Sequence, residues 1–529
     1  MSPPKFFLSS FFRLDYLRLI TKHSPRRSMS SARTYQDAIE HLNSLQSNAA
    51  TLEAVRASGG RLSEFAIPEM LEYLERIGYS PRDLNTLNVI HITGTKGKGS
   101  TSAFVNSILQ HTEPSWKVGL YTSPHLVAVR ERIRINGAPI SEDDFTKYFF
   151  EVWDKLAVNY KRKLPSTSLM PGYFRFMTLL AFHTFLKMKV DATVLEVGVG
   201  GAYDSTNIVP KPVVTGITAL GIDHVSVLGK TLKEIAWQKG GIFKEGVPAI
   251  TVTQPQEGIE VLEARAKELR SSSFSVVEIP EALSNIPLGL AGKHQIQNAA
   301  IALELVRRFL KERHATANIS ELPQSFVDGL TATSWPGRCQ TVADPVNSRI
   351  SWYLDGAHTI ESLDCCMDWF LDTGVGVNVK GSSPPVKRIF VFNCTSGRSG
   401  PTFLGAIYNK ITAWANKNES QSSEFFNHVI FCTNVTYADG HFKGDLATKA
   451  LSDEERSNLT TQNLLATAWS SIIPEYPKEN IHILPSIEHA VDRIKHIDDG
   501  SSPVKILVAG SLHLVGGVIE VAGLSEVAL

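Results

Sequence analysis

A glycine-rich turn lies between a short apolar run, residues 88–92, and a helix-like segment, residues 103–109. The turn reads Thr-Gly-Thr-Lys-Gly-Lys-Gly-Ser-Thr over residues 93–101. In a strand, turn and helix unit of this kind, glycines let the backbone approach a ligand, while N–H groups and the positive end of the helix dipole face an anion. The pattern therefore predicts a strand, a polyphosphate-binding turn and the start of a helix, in that order.

Two lysines and two hydroxyl groups lie inside this turn. Lys98 is placed to put a cation on the outer phosphates, and Ser100 or Thr101 to reach a magnesium ion carried by the nucleotide. Gly99 separates Lys98 from Ser100, whereas the common signature has Ser or Thr directly after the lysine, so the loop is a variant. A simple glycine turn is the alternative. The lysines and hydroxyls favour phosphate binding, and we predict that the chain uses ATP.

Length, charge and cysteine content limit the class of protein. A chain of 529 residues is too long for one ordinary core, which predicts two or three domains. The 53 Lys and Arg residues balance the 53 Asp and Glu residues, so nucleic acid and an anionic membrane surface are not expected as partners. The five cysteines form no CxxC pair, which predicts reduced thiols without a disulfide framework or a structural zinc.

Residues 1–31 differ in composition from the rest of the chain. Serines and short apolar groups alternate with basic residues that face a single acid, Asp15. This composition is typical of a mitochondrial transit segment, and a disordered basic tail is the alternative. The apolar groups are too short for a secretory signal or a spanning helix. Met29 could be a second start, so we expect a mitochondrial form, in the matrix or associated with the inner membrane, and a cytoplasmic form.

After the leader, apolar runs alternate with helix-like segments, which predicts α/β folding with parallel sheets covered by helices on both faces. The sequence pattern changes near Trp335-Pro336-Gly337-Arg338, after which a new series of predicted strands begins. We therefore predict two domains, residues 32–333 and 334–529, with a ligand cleft between them. The predicted strands are residues 88–92, 190–197, 213–220, 352–354, 388–392, 428–432 and 505–509, and helices are predicted at 35–57, 67–74, 174–186 and 298–310.

A single acid, Glu196, stands near the end of an apolar run, where parallel strands face the ligand crevice. A carboxylate beside a phosphate loop repels the nucleotide unless a divalent cation lies between them, so Glu196 is predicted to be a magnesium ligand. The alternative is a carboxylate that caps the following turn. Gly198 and Gly200 begin a dinucleotide fingerprint, but Tyr203 occupies the third glycine position, so the pattern does not predict NAD.

Five further polar residues lie near predicted strand ends or in the following segments. His224 is either a metal ligand or a plain loop residue, and Lys239, taken alone, is a solvated lysine near the end of a helix. Asp355 and His358 directly follow a strand of the second domain. Arg338 precedes that strand, and its planar guanidinium suits phosphate recognition.

Taken together and in this order, these segments resemble the Mur ligase superfamily and, within it, the folylpolyglutamate synthase family. Ala202 stands where many bacterial members carry arginine, and Gly-Gly-Ala-Tyr-Asp around it resembles the eukaryotic branch. The resemblance runs from about Tyr35 to the last strand. It rests on residues 42–46, 94–100, 122–126, 130–133, 196–207, 220–224, 237–244, 294–299, 335–338, 355–358 and 510–517.

The resemblance implies a P-loop ATPase-like N-terminal domain with a parallel sheet and a Rossmann-like C-terminal α/β domain. It also implies ATP and Mg²⁺ as cofactors and leaves room for a monovalent cation. The implied ATP-binding residues are Gly97, Lys98, Gly99, Ser100, Asn298, Arg338 and Asp355, and the implied metal ligands are Ser123, Glu196 and His224. Lys98, His358 and a carbamylated Lys239 are the implied catalytic residues, and Ser123 to Arg132 is similar to the folate-side loop of the family.

The implied activity is that of an ATP-dependent, ADP-forming ligase. It adds L-glutamate by γ-linkage to tetrahydrofolate and its polyglutamates through an acyl phosphate, which retains folates in the cell and in mitochondria for one-carbon metabolism. The resemblance also implies a monomer that binds these small molecules. Nucleic acid is not expected as a partner, and no stable membrane span is expected.

Three alternatives remain open. Dihydrofolate synthase performs the same chemistry on dihydropteroate, although the Thr-Lys-Gly-Lys loop and residues 237–244 favour the polyglutamate enzyme. A nucleotide-driven switch or hydrolase should carry Asn-Lys-x-Asp, and residues 416–419 read Asn-Lys-Asn-Glu. A non-catalytic folate or nucleotide binder would not need the predicted metal and phosphate residues.

Overall fold

The computed structural model describes residues 33–46, 65–314, 322–372, 374–377, 385–394, 399–439, 445 and 458–529. The predicted leader, including Met29, lies outside the described residues, as does most of the part of the predicted helix at 35–57 that follows Ser44. The described chain forms two α/β units, called here the first lobe and the second lobe, each built on its own sheet.

The first lobe contains an eight-stranded sheet in the order β4-β3-β2-β5-β1-β6-β7-β8. Its strands are β1 (Val89–Thr93), β2 (Val118–Tyr121), β3 (Ile133–Ile135), β4 (Ala138–Pro139), β5 (Ala192–Glu196), β6 (Val214–Ile217), β7 (Pro248–Val252) and β8 (Ser273–Val277). Neighbouring strands are parallel, as predicted, in the part of the sheet ordered β2-β5-β1-β6-β7-β8. Strands β3 and β4 extend the sheet beside β2 as an antiparallel edge. The sequence pattern did not predict β2, β3, β4, β7 or β8.

Helices cover both faces of this sheet because side chains of a buried strand alternate between them. In β1, Val89 belongs to one apolar cluster, while Ile90 and Ile92 belong to the cluster on the other face. The helices of the first lobe are α1 (Tyr35–Ser44), α2 (Ala66–Arg76), α3 (Lys98–Thr112), α4 (Glu142–Val158), α5 (Tyr173–Met188), α6 (Val225–Leu228), α7 (Leu232–Gly240), α8 (Gln256–Glu268), α9 (Gln295–His314) and α10 (Gln324–Ala332). The helices predicted at 67–74, 174–186 and 298–310 are confirmed as α2, α5 and α9.

The second lobe contains a six-stranded sheet in the order β13-β12-β11-β14-β10-β9. Only β9 runs antiparallel to its neighbour, again at an edge. The strands are β9 (Gln340–Ala343), β10 (Ile350–Leu354), β11 (Lys387–Phe392), β12 (His428–Cys432), β13 (Ile481–Leu484) and β14 (Val504–Ala509). The helices are α11 (Ile360–Phe370), α12 (Gly400–Lys417), α13 (Thr460–Ile472), α14 (Ile487–Ile497), α15 (Leu512–Val521) and α16 (Ser525–Ala528). The predicted fold class of two α/β units is confirmed.

Short 3₁₀ helices complete the described secondary structure. They span Pro81–Leu87, Val129–Arg132, Ser205–Ile208, Glu281–Asn285 and Lys478–Asn480. Within the described ranges, none of the helices combines the length and the apolar character that a bilayer crossing requires. All five cysteines are free thiols.

Strand register places the candidate residues at the edges of the sheets. Ile92 of β1 lies opposite Glu196 of β5, so the carboxylate stands beside the glycine-rich turn that follows β1. In the second lobe, Leu354 of β10 lies opposite Val508 of β14, and Asp355 is the first residue after the strand. Both sheets therefore present polar residues at the carboxyl ends of parallel strands, where α/β proteins bind ligands.

Candidate functional site

A cavity of about 780 Å³ is lined by residues of both lobes. Of the predicted site residues, all but Lys239 line this cavity. Those from the first lobe are Gly97, Lys98, Gly99, Ser100, Ser123, Glu196, His224 and Asn298, and those from the second-lobe side are Arg338, Asp355 and His358. Thr101, the alternative hydroxyl of the loop, is fully buried and donates instead to the carbonyl of Asn298.

Backbone hydrogen bonds and close packing stabilise the conformation of the glycine-rich turn. The backbone N–H groups of Thr95 and Lys96 both donate to the carbonyl of Ala219, at 2.9 and 3.1 Å. Gly97 has a φ of +88°, and a Cβ atom there would collide with the side chain of Asn298. The turn therefore needs glycine at this position for both its backbone conformation and its packing. Helix α3 then begins at Lys98, with its N-terminus at the cavity.

Two lysines converge behind the turn. The Nζ atoms of Lys98 and Lys239 both donate to the carbonyl oxygen of Gly94, at 3.1 and 2.7 Å. Lys239 lies in the last turn of α7 with 3% of its surface exposed, so the interpretation as a solvated lysine is wrong. Burial, reinforced by the charge of Lys98, lowers the pKa of Lys239 well below its usual value. This environment favours the neutral amine over the ammonium.

Glu196 combines deep burial with an incomplete set of hydrogen bonds. Burial raises the pKa of Glu196 to about 7, against the opposing influence of Lys98 and of a hydrogen bond from the backbone N–H of Ser123. Its Oε2 atom is buried without a hydrogen-bond partner. The alternative role as a turn cap is wrong, because Asp204 accepts from the N–H of Val199, at 3.1 Å, in the turn that follows β5.

The orphaned oxygen of Glu196 tests whether the site fits a divalent cation. A cation beside this oxygen would replace the missing partner and stabilise the ionised carboxylate, so the residues present fit the metal. Mg²⁺ usually keeps several waters and binds one or two carboxylates plus substrate phosphates. Consistent with this, no cluster of three or more His, Cys, Asp or Glu side chains forms a metal cage among the described residues. The oxygen donors of Glu196 and Ser123 suit Mg²⁺ better than the exposed imidazole of His224 does.

The second lobe presents Asp355 and His358 from the loop after β10, and Arg338 from the segment before β9. Asp355 accepts hydrogen bonds from the backbone N–H groups of Cys339 and Ala357, at 2.7 and 2.8 Å, and so fixes two segments of the cavity wall. Arg338 donates to the carbonyl of Gly337 at 3.0 Å and lines the cavity. The ring of His358 bonds through Nδ1 to the carbonyl of Gly356, at 3.0 Å. These contacts bring a guanidinium, a carboxylate and an imidazole to the same cavity as the glycine-rich turn.

Sequence reasoning assigned no role to several residues that also line the cavity. Asp204, His294 and His513 all lie there, and so does Arg132, which the sequence placed in the folate-side segment without a role of its own. The pKa of His513 is lowered by burial and by Arg132. No strand-end pattern marks these residues, although each lies in a block on which the family resemblance rests.

Comparison with known proteins agrees with this arrangement. No family model matches the chain. The chain is 44% identical over 503 residues to folylpolyglutamate synthase of Saccharomyces cerevisiae strain FostersO, covering 92% of this chain and 87% of that protein. Among solved structures, it is similar to folylpolyglutamate synthase of Thermotoga maritima, at 25% identity and a TM-score of 0.62, over 90% of this chain and 97% of that one. It is also similar to the Mycobacterium tuberculosis enzyme complexed with ADP and AMPPCP, at 22% identity and a TM-score of 0.65, over 90% and 98% of the two chains.

Proposed function

Because the chain belongs to the folylpolyglutamate synthase family and is an ATP-dependent ligase, we propose that it adds L-glutamate by γ-linkage to tetrahydrofolate and its polyglutamates. One observation carries the proposal. A single cavity joins the glycine-rich turn, the orphaned Glu196 oxygen and the polar wall of the second lobe. Such a site can hold a nucleotide, a metal ion and an acceptor together.

The chemistry requires activation of a carboxylate, which is a poor electrophile at neutral pH. An oxygen of the acceptor's γ-carboxylate attacks the terminal phosphorus of ATP, and the bond to the bridging oxygen breaks, giving an acyl phosphate and ADP. The amine of L-glutamate then attacks the acyl carbon, phosphate leaves, and the amine loses a proton. Lys98, at the N-terminus of α3, stabilises the negative charge on the transferring oxygens, and Arg338 binds the nucleotide from the second lobe.

Glu196 and Ser123 would hold the magnesium ion, and His224 is the third ligand that the resemblance implies. When bound, Mg²⁺ supplies positive charge that neutralises the phosphate oxygens. Asp355 maintains the wall against which the nucleotide lies, through its two backbone hydrogen bonds.

We also propose that Lys239 is carbamylated in the active enzyme. Carbon dioxide reacts with a neutral amine, forming an N–C bond with loss of a proton, and burial beside Lys98 favours that neutral form. The product is an anion, so it would attract the neighbouring Lys98 ammonium, which shares the Gly94 carbonyl with Lys239. Carbon-13 NMR with labelled bicarbonate should show a carbamate signal that Lys239→Ala removes. A signal that persists in the variant, or no signal at all, would contradict the proposal.

The acceptor is tested by one assay with purified protein, ATP and labelled glutamate. Incorporation with tetrahydrofolate but not with dihydropteroate supports the proposed function. Incorporation with dihydropteroate alone would instead assign dihydrofolate synthase. Titration of magnesium in the same assay should show that turnover depends on the metal, and gel filtration with light scattering should show a monomer.

We propose dual localisation, with residues 1–31 directing the longer form to mitochondria and Met29 starting a cytoplasmic form. The basic, serine-rich composition of the leader supports this proposal. N-terminal sequencing of the protein from separated fractions should give two different starts. A single N-terminus in both fractions would contradict it.

A further inference from the structure

The cavity contains one buried cation that neither the nucleotide nor a protein carboxylate accounts for. Among the described residues, the lysines and arginines that line the cavity are Lys96, Lys98, Arg132, Arg175 and Arg338. Lys96 lies 3.7 Å from Asp223, and Arg175 pairs with Glu69. Lys98 and Arg338 are assigned to the phosphates. Arg132 remains.

Arg132 is held in place while part of its guanidinium is left unbonded. It has 1% of its surface exposed, and it makes no ion pair with a carboxylate in the part of the chain that the structure covers. Its Nε atom donates to Nδ1 of His125 at 2.9 Å, and Nε2 of His125 donates in turn to the carbonyl of Asp445 at 2.6 Å. Its Nη1 atom is buried without a hydrogen-bond partner. The guanidinium of Arg132 is therefore fixed through Nε and keeps an unused donor at Nη1.

A buried guanidinium with an unused donor is costly unless a ligand supplies the missing acceptor. An anion with carboxylate geometry suits a guanidinium best, because two oxygens can accept from one fork. Arg132 also contributes to the field at Glu196, as Lys98 and Arg338 do, so it lies near the proposed metal site. The acceptor carries a second carboxylate beside the one that reacts, and this group also needs a partner in the cavity.

We propose that Arg132 binds the α-carboxylate of the acceptor's terminal glutamate and thereby orients its γ-carboxylate toward the terminal phosphate. This inference rests on the proposed function. His125 is a positioning residue, which fixes the guanidinium through Nε. The contact would favour acceptors that already end in glutamate over those that end at the aminobenzoate group, because only the former carry an α-carboxylate.

The test compares two ligands that differ by one carboxylate. Tetrahydropteroylglutamate has both carboxylates, whereas tetrahydropteroyl-γ-aminobutyrate keeps the γ-carboxylate and lacks the α-carboxylate. Binding of each is measured by calorimetry to the full chain with Mg²⁺ and a non-hydrolysable ATP analogue. The wild-type protein should bind the glutamate compound roughly tenfold to hundredfold more tightly, as expected for one charge-assisted contact.

Arg132→Gln should remove this preference by weakening the glutamate compound much more than the aminobutyrate compound, with both measured at a saturating concentration of the ATP analogue. Arg132→Lys should retain part of the preference and provides a second variant should the glutamine variant not fold. Arg134→Lys is the matched control. Arg134 is a buried neighbour whose Nε and Nη1 atoms both have backbone partners, at 3.1 and 3.0 Å, so the preference should persist.

Two results would overturn the inference. One is a wild-type protein that binds both ligands equally. The other is an Arg132 variant, folded by circular dichroism, that keeps the full preference or weakens both ligands by the same factor. Failure of the proposed function is a separate outcome, because it would appear as a wild-type protein that joins no glutamate to tetrahydrofolate in the labelled assay.

Discussion

The two lobes reach the same cavity from sheets with a similar edge arrangement, yet they build their walls differently. The first lobe uses backbone, in a turn whose Thr95 and Lys96 N–H groups bond the carbonyl of Ala219, just after β6, and whose Gly97 adopts a left-handed conformation. The second lobe uses side chains, with Asp355 bonded both to the segment that carries Arg338 and to the loop that carries His358. We infer that the first lobe supplies a backbone cradle for the phosphates together with Lys98 and Glu196, which act on the transferring phosphoryl, whereas the second lobe supplies side chains that bind the nucleotide.

The largest effect should follow loss of charge in the first lobe. Lys98→Ala and Glu196→Gln should each lower kcat a hundredfold or more, about 3–4 kcal/mol of barrier, because each removes a group that acts on the transferring phosphoryl. Steady-state kinetics measures the loss, and far-UV circular dichroism should show folded proteins. Lys211→Ala, at an exposed lysine of the same lobe, is the control. Near-normal turnover in either variant would remove the role assigned to that residue.

A smaller effect is expected when the second lobe loses a charge. Arg338→Ala should raise KM for ATP roughly tenfold to hundredfold, because one charge-assisted contact contributes about 1.5–3 kcal/mol. Since the cradle stays intact, kcat should fall less than in the Lys98 variant. If Arg338→Ala lowered kcat as much as Lys98→Ala and left KM for ATP unchanged, the distinction between the lobes would not hold.

The backbone role of the first lobe can be tested with a pair of glycines. Gly97→Ala should cost about 2 kcal/mol or more of stability and weaken ATP binding, because the position has a φ of +88° and a Cβ would collide with Asn298. Gly246 has a φ of +72° with open space around it. Gly246→Ala should therefore cost only about 1 kcal/mol, with ATP binding unchanged. Thermal unfolding and ATP titration distinguish the two, and equal effects on ATP affinity would contradict the cradle.

The difference between the lobes also explains which features the sequence predicts. Residues 88–101 specify their structure locally, since an apolar run, glycines and lysines in order define a strand, a turn and a helix start. Arg132 ends the predicted folate-side segment, but its unbonded donor could not be predicted, because it depends on how His125 packs against Asp445, which is distant in the sequence. The sequence does not predict the edge strands β3, β4 and β9 either. A short antiparallel edge strand is defined by its pairing with the neighbouring strand and not by an apolar pattern of its own.

The smallest expected effect concerns acid stability. Burial lowers the pKa of His91, in β1, to about 3. Its folded pKa lies below its unfolded value of about 6.5, so its contribution is complete above pH 6.5 and is lost as pH falls toward 3. At pH 5.5 the loss should be about 1.4 kcal/mol, which His91→Gln should remove from the pH profile of the unfolding free energy. Burial lowers the pKa of His482 in the second lobe to about 4, so His482→Gln should remove a similar loss at pH 5.5 and a smaller one below about pH 4. An unchanged profile in the His91 variant would contradict this contribution.

The central claim is that the cavity activates a carboxylate through an acyl phosphate. The most direct measurement uses an acceptor whose γ-carboxylate carries oxygen-18, incubated with the wild-type protein, ATP, Mg²⁺ and L-glutamate. The account predicts one labelled oxygen in the released phosphate for each glutamate joined, with ADP formed in equal amount. Glutamate joined without label in the phosphate would contradict the account.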